Sequence, residues 1–184
     1  MKLTVIIGSA RNNGSSSYLA DTIIDGWCLD NANTFEKYQI SDLNINYCVG
    51  CKTCYKTGKC YQNDDVLMII NSILAADYVV MISPSYWAGV PAQLKTFIDR
   101  STPYGDTNLA RINKNSNAKG ISIALRAGTR NEENQLILDS IEHYFGHLGI
   151  SVVKSYSLTR TDSLGDLINN YSEIIEELPD ITHL

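Results

Sequence analysis

Lys2-Leu-Thr-Val-Ile-Ile7 runs into Gly8-Ser-Ala-Arg11-Asn-Asn-Gly14-Ser-Ser-Ser17. An apolar, β-branched run that stops at a glycine reads as a buried parallel strand. The small, polar stretch after it reads as a loop. Ser15 or Ser16 can cap a helix expected from about Ser17 to Leu29. The same alternation repeats along the chain. Strands are expected near residues 34–40, 78–83, 119–125 and 151–157. Helices are expected near 64–75, 90–100, 132–147 and 164–178. Pro91 suits a first helical turn, and Gly149 suits a C-cap.

Strands alternating with helices imply parallel pairing through right-handed crossovers. Five of them suit a three-layer α/β sandwich with the flavodoxin-like order 2-1-3-4-5. In that order ligands bind beyond the carboxyl ends of strands 1 and 3. Three loops are therefore singled out: Ser9–Ser17, Pro84–Val90 and Arg126–Asn131.

The length of 184 residues suits a single domain over 1–184, with a cysteine-rich insertion at residues 46–63. Net charge is −5 and basic residues are scattered, which argues against nucleic-acid binding. No apolar run approaches the roughly 20 residues of a membrane span. The first strand begins beside Met1, so no signal peptide is expected, and a cytoplasmic location is the default.

The first loop lacks both the G-x-G-x-x-G spacing and a Walker lysine. It offers instead the hydroxyls of Ser9, Ser15, Ser16 and Ser17, the guanidinium of Arg11, and free amides at a helix start. These suit a terminal phosphate dianion; an ordinary capped Ser/Asn loop is the alternative. In the second loop, Pro84-Ser85-Tyr86-Trp87-Ala-Gly89, the two aromatics could border a flat ring, with Gly89 letting amides approach its edge. They could equally cover the sheet end or a subunit contact. In the third loop, Arg126, Gly128 and Arg130 reach the same edge. There an arginine could stabilise an anionic reduced flavin or meet a 2′-phosphate, or simply be solvated.

Four of the five cysteines, Cys48, Cys51, Cys54 and Cys60, fall within thirteen residues. Where thiols stay reduced, such a run reads as metal-binding or redox-active. The compact C-x2-C-x2-C spacing is more typical of a [4Fe–4S] cluster than of zinc, though all-sulfur sites serve either metal. Cys28 is expected in the core of the first helix. His143 and His147 have a spacing that could bind metal, but no third ligand is evident, so a packing or surface role is expected. Asp64-Asp65 reads as helix-start electrostatics, and Asp99-Arg100 as a structural pair at a helix end.

Taken in order, several motifs resemble one family. They are Gly8-Ser-Ala-Arg…Gly14-Ser-Ser-Ser17, the cysteine run with Asp64-Asp65, Ser83-Pro-Ser-Tyr-Trp…Pro91-Ala-Gln-Leu-Lys…Phe97-Ile-Asp-Arg100, and Gly128-Thr-Arg-Asn131. The chain resembles the NADPH-dependent FMN reductase superfamily, in its iron–sulfur flavoprotein branch. The resemblance implies that Ser9, Arg11, Ser15, Ser16 and Ser17 hold the FMN phosphate. Pro84, Ser85, Tyr86, Trp87 and Gly89 would border the isoalloxazine, with Gly128 and its neighbours, Arg126 among them, closing it. It also implies a [4Fe–4S] cluster on the four cysteines and a homodimer or homotetramer. Two departures stand out: Ser15-Ser16 where the family often has Asn-Thr, and Glu132-Glu133 where relatives often carry glycines. The second adds bulk and negative charge near the ring edge.

The expected function is an FMN-dependent oxidoreductase. It would pass electrons from NAD(P)H or a ferredoxin-like donor to a small acceptor such as a quinone, flavin or oxygen. No side chain is expected to act as acid or base, because the flavin carries the chemistry. Two alternatives are a flavodoxin-type electron carrier and a cysteine-based redox- or metal-responsive interaction protein.

Overall fold

The computed structural model of the chain describes residues 1–112 and 116–183; residues 113–115 of the expected 101–118 loop, residue 184 and the side chain of His183 lie outside the described residues. Five strands form one parallel sheet in the order β2-β1-β3-β4-β5. They are β1 (Lys2–Ile7), β2 (Thr34–Gln39), β3 (Tyr78–Pro84), β4 (Lys119–Leu125) and β5 (Ser151–Leu158). The three central strands are buried almost throughout, which is why they read as unbroken apolar runs.

The helices are α1 (Ser15–Trp27), α2 (Cys54–Thr57), α3 (Val66–Leu74), α4 (Ala92–Arg100), α5 (Asn131–Leu148), α6 (Leu164–Asn170) and α7 (Ser172–Glu177). One face of the sheet packs Ile6, Val79 and Met81 against α3, α4 and α5 through Ile69, Phe97 and Phe145. The other packs Val5, Val80 and Ile123 against α1 and α6 through Leu19, Ile23 and Leu167, with Leu178 and Ile181 beyond. This is the expected three-layer sandwich.

Local expectations differ in four places. Helix α1 starts two residues early, with Gly14 as its N-cap and no side-chain cap. Neither Ser15 nor Ser16 caps it: both lie inside the first turn, where Ser16 and Ser17 are buried. The expected 164–178 helix is two helices, because Tyr171 leaves helical geometry at φ −136° and ψ 30°. Ser163 and Asp166 form a capping box at its start, a signal the sequence carried. Cys28 is exposed, not core: it is the C-cap of α1, one residue past the buried stripe that ends at Trp27.

Candidate cofactor cavity and cysteine loop

Parallel pairing ends β1, β3 and β4 at the same edge of the sheet. Their three following loops converge there, as the strand order requires. A cavity of about 130 Å³ lies between them, lined by Ser9, Arg11, Gly14, Ser15, Ser16, Pro84, Ser85, Tyr86, Arg126, Thr161 and Asp162 among others. Ser9 is held rigidly: its hydroxyl accepts from the Arg11 amide at 3.1 Å, and its carbonyl accepts from Gln39 Nε2. The Ser17 hydroxyl donates to the Arg11 carbonyl at 3.3 Å. It fixes the loop rather than facing the cavity. The first in-helix bond of α1 runs from the Tyr18 amide to the Gly14 carbonyl at 3.0 Å. Amides at 15–17 precede that bond, so they are the donors a helix start leaves for an anion.

The second loop is a two-residue hairpin. Tyr86 and Gly89 exchange amide–carbonyl bonds of 2.9 and 3.0 Å. Trp87 and Ala88 form its tip, both left-handed, at φ 53° and 57°. Positive φ at both central residues is the turn that matches strand twist, here built from residues that tolerate it poorly. Trp87 consequently stands fully in solvent, outside the cavity. The Gly89 amide is already used by Tyr86.

The third loop is stitched to the chain after β5. The Arg126 amide donates to Leu158, Arg160 to Gly128, and Thr161 to Arg126, at 2.9–3.0 Å. This brings Thr161 and Asp162 to the cavity, two residues that sequence reasoning did not single out. No local motif marks them; only the β4–β5 pairing puts them there. Arg126 pairs with Glu133 at 2.7 Å and donates to the Arg130 carbonyl at 3.2 Å. Its Nε is buried without a partner. A Cβ on Gly128 would lie 2.8 Å from the Arg126 guanidinium, so glycine there lets the arginine fold back over the loop. Glu133 therefore offsets the charge of Arg126 rather than simply adding negative charge at the ring edge.

The cysteine segment is irregular apart from α2, and Gly50 and Lys52 are left-handed at φ 66° and 59°. All four cysteines line one cavity of about 30 Å³, room for a water or two. Burial, then the neighbouring Cys60 and Cys51, push the Cys54 thiol up, while the Thr53 hydroxyl and amide pull the Cys51 thiol down. Among the described residues no three His, Cys, Asp or Glu side chains stand ready as ligands to one ion. Four cysteines around one cavity have the chemistry that would suit a thiolate-bound centre. The loop would have to open to admit one. Gly58, left-handed at φ 71°, closes α2. A Cβ there would meet the Ala110 carbonyl at 2.1 Å, so the polar 102–112 segment packs directly on the loop.

The neck of the loop is closed by Arg100, whose side chain is 1% exposed. It donates to the Asn46 carbonyl at 2.7 Å, to Gln62 Oε1 at 3.2 Å, and to both Asp64 carboxylate oxygens at 2.5 and 3.0 Å. Asp64 in turn accepts from the Asn46 amide at 3.1 Å. One guanidinium thus ties the strand-like approach to Cys48 to the exit from Cys60. Burial works against the charge of Asp64, but Arg100 and the Asn46 amide outweigh it and hold its pKa below the usual carboxylate value. Burial also opposes Arg100, and Asp64 and the Cys60 thiol together hold its pKa above the ordinary value. Arg100 therefore pairs with Asp64, not with its neighbour Asp99, which pairs with Lys95 at 2.5 Å. Asp64 keeps only a 3.3 Å contact with the first amide of α3.

The family model of the NADPH-dependent FMN reductases matches residues 1–162. The chain belongs to that family. It is 42% identical to an iron–sulfur flavoprotein of Archaeoglobus fulgidus over 57% of this chain and 47% of that one. It is 33% identical to an iron–sulfur flavoprotein of Methanocaldococcus jannaschii over 79% of this chain and 72% of that one. The match thus spans about half the length of the first relative and nearly three quarters of the second. Among solved structures, an NAD(P)H:quinone oxidoreductase of Methanothermobacter marburgensis superposes with a TM-score of 0.75 at 15% identity, over 100% of this chain and 98% of that one. An azoreductase of Bacillus anthracis does so at 0.70 and 15%, over 98% of each. At such identity these two structures speak for the fold, a flavodoxin-like sandwich.

Proposed function

We propose that this family member is an FMN-dependent oxidoreductase that moves electrons from NAD(P)H or a ferredoxin-like donor to a small acceptor. The observation that carries this reading is the cavity at the carboxyl edge of the sheet. It is lined on one side by the start of α1 and on the other by Ser85, Tyr86 and Arg126. The FMN phosphate would be held by Ser9, Arg11, Ser15, Ser16 and the first amides of α1. Ser85, Tyr86, Arg126 and Thr161 would flank the rest. FMN, when bound, supplies hydride acceptance and one-electron transfer. The chain's part is to bind, orient and shield.

At about 130 Å³ the cavity is well below the roughly 300–1,000 Å³ of a small-molecule site. It fits the phosphate end and leaves the ring on an open face beside the exposed Trp87. In the expected homo-oligomer a second copy of the chain would complete that face. No helix among the described residues is long and apolar enough to cross a membrane. A [4Fe–4S] cluster on Cys48, Cys51, Cys54 and Cys60 would give a path for single electrons; the names of the iron–sulfur flavoprotein relatives support it.

The test is iron and acid-labile sulfide per FMN in protein purified without oxygen, alongside NAD(P)H oxidation with quinone, flavin and oxygen. About four irons and four sulfides per FMN, lost in Cys54→Ser, support the cluster. FMN with neither iron nor sulfide leaves an NAD(P)H-dependent flavin enzyme with free thiols. Absence of FMN binding overturns the whole reading.

A further inference from the structure

The far end of the molecule holds a cluster that the cofactor reading does not use. Helix α5 follows β4 and runs back to the opposite edge of the sheet, so its last turn lies away from the FMN cavity. There His147 Nε2 and His143 Nε2 stand 3.0 Å apart. The two rings are nearly perpendicular, at 88°, with centroids 4.5 Å apart. Asp106 Oδ1 accepts from His147 Nδ1 at 2.5 Å. The Asp106 amide also donates to the His147 carbonyl at 3.0 Å, so the loop is fixed to the helix by main chain and side chain together.

We propose that His143 and His147 chelate a divalent late first-row transition metal of the zinc class through their Nε2 atoms, with Asp106 holding His147 as an outer-shell carboxylate. Two imidazole nitrogens at about 2.0–2.1 Å from zinc, at roughly 90–110° to each other, lie about 2.9–3.4 Å apart. The observed 3.0 Å falls in that span. Spacing of four on a helix puts both rings on one face. The Asp106 carboxylate accepts from Nδ1–H of His147 and so favours the tautomer whose Nε2 lone pair faces His143. A carboxylate on the second ring nitrogen is the usual support of a metal-bound histidine.

With His147 in that tautomer, the 3.0 Å contact in the metal-free chain is a hydrogen bond from His143 Nε2–H to His147 Nε2. Binding moves that proton to Nδ1 of His143, with no net proton lost. Both His147 and Asp106 are partly open to solvent, with side chains 34% and 48% exposed, so water fills the remaining coordination positions. The metal would also brace the insert, since Asn108 on the same segment donates to the Cys54 carbonyl at 3.2 Å.

The experiment is a zinc titration of the full chain followed by histidine side-chain 15N NMR. It resolves each ring, so zinc captured by the cysteines is read separately, and His183 serves as the reference for non-specific binding. The Nε2 resonances of His143 and His147 should shift together and saturate. His143→Ala should abolish the His147 shift. Asp106→Asn should weaken binding roughly 10- to 100-fold while leaving both imidazoles in place. The chelate is overturned if neither ring shifts at zinc well above the protein concentration, or if His147 shifts unchanged in His143→Ala. An Asp106→Asn variant with undiminished affinity overturns the outer-shell role.

Discussion

The cavity at the carboxyl edge of the sheet and the cysteine loop sit on the same scaffold but are held by different physics. The cavity is built by the main chain. Three strands end together, a helix starts with unused amides, and carbonyl–amide bonds between segments 126–128 and 158–161 close the floor. The cysteine loop has almost no regular structure and depends on one buried ion pair at its neck. A site made of backbone tolerates most side-chain changes. A site held by one guanidinium does not.

The sharpest way to break the comparison is Arg100→Met. It leaves Asp64 buried and unpaired, so stability should fall by about 3–5 kcal/mol, read by urea unfolding. The cysteines should also become more reactive toward a maleimide. Adding Asp64→Leu should recover much of the loss, because the stranded charge goes with it. Unchanged stability in Arg100→Met would mean the neck is not what holds the loop.

The same pair predicts an acid dependence. Asp64 has a depressed pKa in the folded chain. Its contribution is therefore complete above the ordinary carboxylate value of about 4 and lost as pH falls through the folded-state value. Unfolding measured from neutral to acid pH should show this loss in the natural chain, and Asp64→Asn should flatten it.

On the cavity side the effects are smaller. Arg11→Ala removes one charged donor to the phosphate, worth about 1.5–3 kcal/mol, or roughly 10- to 100-fold in FMN affinity. Riboflavin, which lacks the phosphate, should bind equally to both proteins by fluorescence titration. Equal loss for both ligands would place the phosphate elsewhere. The smallest expected change sits on the hairpin tip. Ala88→Gly relieves one left-handed non-glycine residue and should raise stability by about 1 kcal/mol. A loss instead would mean the tip is held by contacts that glycine cannot keep.

Much of the cavity was legible in the sequence, because it follows from strand order. Once Leu3–Ile7 and Tyr78–Ser83 are read as parallel strands, their following loops must meet. Ser9, Arg11, Ser15, Ser16, Ser85, Tyr86 and Arg126 then share one cavity. Thr161 and Asp162 were not legible, since they arrive through the pairing of β4 with β5 and carry no motif. Trp87 was legible as a loop aromatic, but its left-handed backbone and full exposure come from the hairpin's closure by Tyr86 and Gly89. The partner of Arg100 was misread for a related reason. Neighbours in sequence suggested Asp99, yet on a helix adjacent residues point apart, and α4 turns Asp99 to Lys95 and Arg100 inward.

By itself the sequence determined the layer architecture, the strand order, the edge at which the three singled-out loops meet and the clustering of four thiols. These are matters of period, turn residues and spacing, which act over a few residues at a time. Only the tertiary structure decided which charges are paired, that the loop hangs from Arg100, and that Asp106 reaches His147 across 41 residues. Those contacts depend on where distant segments pack, and no local pattern of residues encodes that distance.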